Sequence, residues 1–292
     1  MSWRAAELNP ATPSSPIPTI ESQRGGALGC GSSTRGMPRL LILGGTGEAR
    51  ELGERLAARA DLAITISLAG RTARPAAQAV AVRVGGFGGA AGLADYVRTQ
   101  RIDALIDATH PFAATMSAHA AAAAAATSIP LLALRRPPWR PVDGDRWLNV
   151  ADRDAAVAAT GNTPRRIFLA LGRQDLGPFE QAPQHTYLVR SVDPVVPPLR
   201  LERVTYVCAR GPFSEADDQA LLSAYRINAV VAKNSGGPAT YSKIAAARNL
   251  GLEVIMIARP AAPAVPTVET VAEAITWLDH DHALTAAKDR GV

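Results

Sequence analysis

Four short segments collect residues able to handle phosphate, carboxylate or a proton. Gly44-Gly45-Thr46-Gly47-Glu48 stands between the apolar run Leu40–Leu43 and a helical spacing of Ala49, Leu52, Leu56 and Ala60. Glycines between a buried strand and a helix allow a tight turn and let a pyrophosphate approach the backbone. The N–H groups at the helix start then bind its charge. The full G-x-G-x-x-G is missing, since counting from Gly45 the third glycine position is Arg50. A glycine turn without a ligand is the alternative. After the next expected strand comes Ser67-Leu68-Ala69-Gly70-Arg71-Thr72. An NAD site usually shows an acidic residue there for the ribose hydroxyls. Here Arg71 and Thr72 supply a cation and a hydroxyl, which suits a 2′-phosphate and favours NADPH over NADH. A solvated loop arginine is the alternative.

Asp107-Ala108-Thr109-His110-Pro111-Phe112-Ala113 begins at the end of another expected strand. Ligands gather at the carboxyl ends of parallel strands. Asp107, Thr109 and His110 are thus candidates to flank a nicotinamide ribose or to handle a proton, and Pro111 holds His110 extended. A capping Asp and a hydrogen-bonded His explain the same residues. Lys233-Asn234-Ser235-Gly236-Gly237 offers an ammonium, an amide, a hydroxyl and backbone N–H groups, a nest for carboxylate or phosphate. Its order is not that of a Walker A loop, and an ordinary glycine turn fits it equally well. The chain has no Tyr with Lys four residues later, no G-x-S-x-G and no H-E-x-x-H. Its histidines have no metal-site spacing, so no protein metal is expected.

The elements around these segments alternate. Leu62–Leu68, Val80–Val84, Ala104–Ile106 and Leu131–Leu134 join Leu40–Leu43 as strands. Helices are expected at Leu93–Thr99 and Thr115–Ala126. Arg136-Pro137-Pro138-Trp139-Arg140-Pro141 breaks the pattern, and a second series follows. Its strands are Arg166–Ala170, His185–Arg190, Val204–Ala209, Ala229–Ala232 and Val254–Ile257. Its helices are Asp152–Ala159, Ser214–Tyr225, Tyr241–Asn249 and Val268–Leu278. Such alternation predicts an α/β fold of two Rossmann-like parallel-sheet domains with a cleft between them, a nucleotide domain over 37–140 and a substrate domain over 141–292. Residues 1–36, rich in Pro, Ser, Thr and Gly, read as a disordered extension. They show no secretory pattern, and Met37 could be the true start.

The 292 residues are 47% hydrophobic and 20% charged, too apolar for a disordered tail. Aromatics at 5% exclude a base-stacking platform, and no run of about 20 apolar residues predicts a membrane span. The net charge of +5 is dispersed, which suits a small polyanion as well as it suits nucleic acid. Cys30 and Cys208 are far apart, so neither a disulfide framework nor a cysteine zinc site is expected, and a reducing, cytoplasmic setting is.

The segments Gly44–Ala49, Ser67–Thr72, Gly85–Gly89, Asp107–Ala113, Arg135–Trp139 and Lys233–Gly237, in this order, resemble the precorrin-6A reductase family of cobalamin biosynthesis. The likeness runs from about Arg39 to about Leu278. It implies NADPH-dependent reduction of one double bond in a corrin precursor, with the tetrapyrrole between two Rossmann-like domains. It places Gly44, Gly45, Thr46, Gly47 and Glu48 at the cofactor, with Arg71 and Thr72 at its 2′-phosphate. Asp107, Thr109 and His110 become the catalytic candidates. Arg136, Arg140, Arg173, Arg210, Lys233, Asn234, Ser235, Gly236 and Lys243 become candidates for the substrate's carboxylates. The alternatives are another NADPH-dependent reductase of an anionic substrate and a non-catalytic NADPH-binding module.

Overall fold

The computed structural model describes residues 37–70 and 76–280. The expectations for residues 1–36, Arg71 and Thr72 lie outside them. Residues from Gly36 onward cluster as one compact unit, built on two six-stranded sheets in which every pairing is parallel.

The first sheet contains β1 (Arg39–Leu43), β2 (Ala63–Leu68), β3 (Ala81–Val84), β4 (Ala104–Asp107) and β5 (Leu131–Leu134). Its helices are α1 (Gly47–Leu56), α2 (Gly89–Thr99) and α3 (Ala114–Thr127). The second sheet contains β6 (Arg146–Val150), β7 (Arg166–Ala170), β8 (Thr186–Ser191), β9 (Val204–Cys208), β10 (Ala229–Lys233) and β11 (Glu253–Ile257). Its helices are α4 (Arg153–Ala159), α5 (Glu215–Ala224) and α6 (Ser242–Asn249). β12 (Thr267–Val268) and α7 (Val271–His280) close the described chain.

Alternation along β1 shows why it is central. Leu40 and Ile42 pack with Leu52 and Leu56 of α1 and with Ala274 and Leu278 of α7 on one face. Leu41 and Leu43 pack with Leu93 and Val97 of α2 and with Ala120 and Ala123 of α3 on the other. A strand covered on both sides must be apolar where it is covered, as Leu40–Leu43 are after the exposed Arg39. The alanines of α3 let it lie close to its neighbours. In the second sheet, Phe168 meets α6 through Ile244 on one face, and Ile167 and Leu169 meet Ala156 of α4 and Phe179 on the other.

Strand order is β12-β5-β4-β1-β2-β3 in the first sheet and β6-β11-β10-β7-β8-β9 in the second. β6 follows β5 in the chain but pairs with β11, and β12 follows β11 but pairs with β5. Each sheet therefore takes its sixth strand from just beyond the other's fifth. The expectation that everything past 140 belongs to the second half is corrected for β12 and α7, which complete the first sheet and its core. In both sheets the order reverses once, between β1 and β4 and between β7 and β10. These are the switch points where crevices open at the strands' carboxyl ends. Among the described residues no helix is long and apolar enough to cross a membrane.

Candidate active site

At the first switch point, Thr46 caps α1. Its hydroxyl accepts from Ala49 N at 3.1 Å and donates to Ala108 O at 2.8 Å. A cap of this kind stabilises by about 1 kcal/mol, and here it also ties the loop after β1 to the loop after β4. Gly45 and Gly47 line a cavity of about 450 Å³, and nothing lies within 4 Å of where a Cβ would stand at either residue. A side chain would fill this space; glycine leaves a cradle beside the N-terminus of α1, where phosphate binds well. Glu48 would repel that phosphate, but its carboxylate is committed to the Arg136 guanidinium at 2.6 Å.

Asp107 and Thr109 do not line the cavity. Asp107 is 2% exposed. Its Oδ1 accepts from Thr109 N at 3.1 Å and Thr109 Oγ1 at 2.6 Å, and its Oδ2 accepts from Ser117 Oγ at 2.5 Å. The Arg135 guanidinium stands 3.7 Å from Oδ2. This corrects the expectation of a catalytic Asp107 and Thr109: Asp107 is buried, the Thr109 hydroxyl is donated to it, neither lines a cavity, and together they hold the loop that presents His110.

His110 does line the cavity and also an adjoining one of about 420 Å³. Its Nδ1 accepts from Phe112 N at 3.2 Å, leaving Nε2 as the ring's donor. Burial, and then the charges of Arg136, Lys233, Arg259 and Lys243, push its pKa down to about 3. The ring is neutral at ordinary pH and can offer a hydrogen bond, not an imidazolium proton.

The second switch point supplies the opposite wall. Lys233, at the end of β10, pairs with Asp175 and stands 4.9 Å from the Phe112 ring. The Asn234 side chain is fully used: Oδ1 accepts from Trp139 N at 2.8 Å and Nδ2 donates to Trp139 O at 3.0 Å. The expectation that Asn234 binds substrate is corrected, because its amide is spent locking the proline-rich segment. Arg136 Nε and Arg259 Nη2 both donate to Ser235 O, at 2.7 and 3.0 Å. Burial, reinforced by Arg136 and Arg135, lowers the Arg259 pKa.

Lys233, Ser235, Gly236, Arg136 and Lys243 all line the first cavity, and Arg173 and Lys243 the second. Arg140 and Arg210 line neither, because the chain turns both outward to solvent. Sequence reasoning missed Arg190. It lines the second cavity from β8, pairs with Asp218 of α5, and stacks 3.7 Å from the Phe213 ring centroid. An arginine inside the otherwise buried strand Thr186–Ser191 was the available signal.

Two parallel sheets, each with a glycine-containing loop at its switch point, define an α/β protein of the Rossmann type. A model described as "Precorrin-6x reductase CbiJ/CobK" matches residues 39–279, and the chain belongs to that family. It is 56% identical to the precorrin-6A reductase of Sinorhizobium sp. over 83% of this chain and 93% of that one. With the precorrin-6A reductase of Rhodobacter capsulatus it shares 51% identity, over 85% and 98%. A solved structure named CobK precorrin-6A reductase superimposes with a TM-score of 0.80 at 50% identity, covering 83% of this chain and 96% of that one.

Proposed function

We propose that this chain reduces one double bond of precorrin-6A with NADPH, giving precorrin-6B in cobalamin biosynthesis. The observation that carries the reading is the pair of adjoining cavities, which join the glycine loop after β1 to the basic loop after β10 in a close relative of precorrin-6A reductases. The open cradle at Gly45 and Gly47 fits a pyrophosphate, with Arg71 and Thr72 assigned to the 2′-phosphate. NADPH supplies the hydride when bound there. Lys233, Arg173 and Arg190 suit the carboxylates of a tetrapyrrole, and charge-assisted pairing orients it. His110 donates a hydrogen bond from Nε2 and helps exclude water.

The purified chain, given precorrin-6A and NADPH, should consume NADPH and yield a product two hydrogen atoms heavier. Arg71→Ala should weaken NADPH about 10- to 100-fold and leave NADH nearly unchanged. Tight NADPH binding without turnover would return the chain to a nucleotide-binding module. Equal loss for both cofactors would move the 2′-phosphate elsewhere.

His110→Ala should lower kcat about 10²-fold, and His110→Gln, which keeps a donor, less than tenfold. Neither should remove a limb of the pH profile between pH 5 and 9, because the ring is already neutral there. A limb lost with His110 would show that the imidazolium takes part.

A further inference from the structure

The chain holds 31 basic residues, and only three of them are lysines, at 233, 243 and 288. The other 28 are arginines. Two of the three lysines line one cavity. Arginine stays protonated in proteins, whereas a buried lysine can be tuned to give up its proton. Two of the three lysines therefore stand where a group able to release a proton could serve a bound substrate.

The two lysines differ in their surroundings. Lys233 is paired with Asp175. Lys243, on α6, is 5% exposed and lines both cavities, as His110 does. Its ammonium donates to Thr240 O at 2.5 Å and stands 5.0 Å from the Trp139 ring centroid. Among the described residues it forms no ion pair. The charged and titratable groups around it are Arg190 on β8, Asp218 on α5 and Arg136 on the segment after β5, with Glu48, His110, Arg173, Asp175, Asp193 and Lys233 along the same walls.

Resting on the function proposed above, we propose that Lys243 is the acid that completes the reduction. Hydride adds to one carbon of the substrate's conjugated double bond, and the π electron pair moves to the adjoining position. There it forms a new bond to hydrogen with a proton from Lys243 Nζ. The N–H bond breaks, its electron pair stays on nitrogen, and the neutral amine regains a proton from water. The sum is substrate, NADPH and one proton giving reduced product and NADP⁺. Burial, then the Arg190 charge, brings the Lys243 pKa down to about 7, with Asp218 opposing and Arg136 adding to the fall. An ammonium so poised transfers its proton readily near neutral pH.

Lys243→Arg keeps a cation for a carboxylate and removes the transferable proton. It should lower kcat by 10²-fold or more while KM changes less than about threefold. Wild-type kcat should fall as pH rises through the lysine's titration, and Lys243→Gln should flatten that limb. A second measurement needs neither cofactor nor substrate. With ¹⁵N-labelled lysine side chains, one of the three signals should titrate near neutrality and vanish in Lys243→Gln. If Lys243→Arg fails to fold by circular dichroism, Lys243→Gln and the titration decide. Retention of kcat in either variant within tenfold, or no lysine titrating below about pH 9, overturns the proposal. A wild-type chain that binds NADPH but does not reduce precorrin-6A overturns the function itself, and the lysine titration would still stand or fall separately.

Discussion

Asp107→Ala should destabilise the protein by about 3–5 kcal/mol, the loss typical when one partner of a buried charged pair is removed. The carboxylate at the end of β4 accepts from three donors, Thr109 N, Thr109 Oγ1 and Ser117 Oγ, and the Arg135 guanidinium stands 3.7 Å away. Arg135 Nη2 is buried and has no hydrogen-bond partner of its own, so Asp107 is its nearest electrostatic compensation. Alanine would leave the buried Arg135 Nη2 without its nearest anion and the Ser117 and Thr109 hydroxyls without their acceptor. At roughly 2–4 °C per kcal/mol for a chain of this size, the melting temperature should fall by about 10 °C. Asp107→Asn keeps an oxygen for Thr109 and should fall by less than half as much. Activity should drop in both, with the alanine variant lower, because the His110 loop hangs from this carboxylate. A thermal melt of Asp107→Ala within 2 °C of wild type would show that Arg135 finds water or another acceptor.

Central strands were legible because two-sided burial forces them to be apolar: Leu40–Leu43, Ala104–Ile106 and Ala229–Ala232 could hardly be read otherwise. β6 and β12 were not. β6 is an edge strand with no buried residue and no regular alternation, and β12 has only two residues, so neither shows a period. Their exchange between sheets is a long-range pairing with no local signature. In the site, position at a strand's end pointed to His110 and Lys233, and both line the cavity, since topology alone places such residues at a switch point. It did not reveal which way a loop side chain turns. Arg140 faces solvent, and Asn234 spends its amide on Trp139. Asp107 reads the same whether it touches a ligand or caps a loop. Arg190 was hidden because it lies within a strand, and its partner Asp218 lies 28 residues away on another element.

Gly236→Ala should uncouple the basic loop from the proline-rich segment, with kcat/KM lower by about 10²-fold, the scale of a misplacement near 1 Å. Gly236 has φ +68°, a conformation that costs an alanine about 1–2 kcal/mol. The added Cβ would also stand 2.1 Å from Pro137 O and 2.4 Å from Arg259 Nη2. Backbone cannot swing aside as a side-chain tip can, so the loop must withdraw. Withdrawal strains the Arg136 and Arg259 bonds to Ser235 O and the Asn234–Trp139 pair. Together the terms predict a stability loss of about 2–5 kcal/mol. Gly251→Ala separates the two causes. Gly251 has φ +62° but nothing within 4 Å of its Cβ position, and it lines neither cavity. That variant should lose only about 1–2 kcal/mol and keep wild-type turnover. Paired melts and steady-state rates decide the matter. Equal stability losses, or full activity in Gly236→Ala, would mean that the contact between Lys233–Gly237 and Arg136–Trp139 does not position the site.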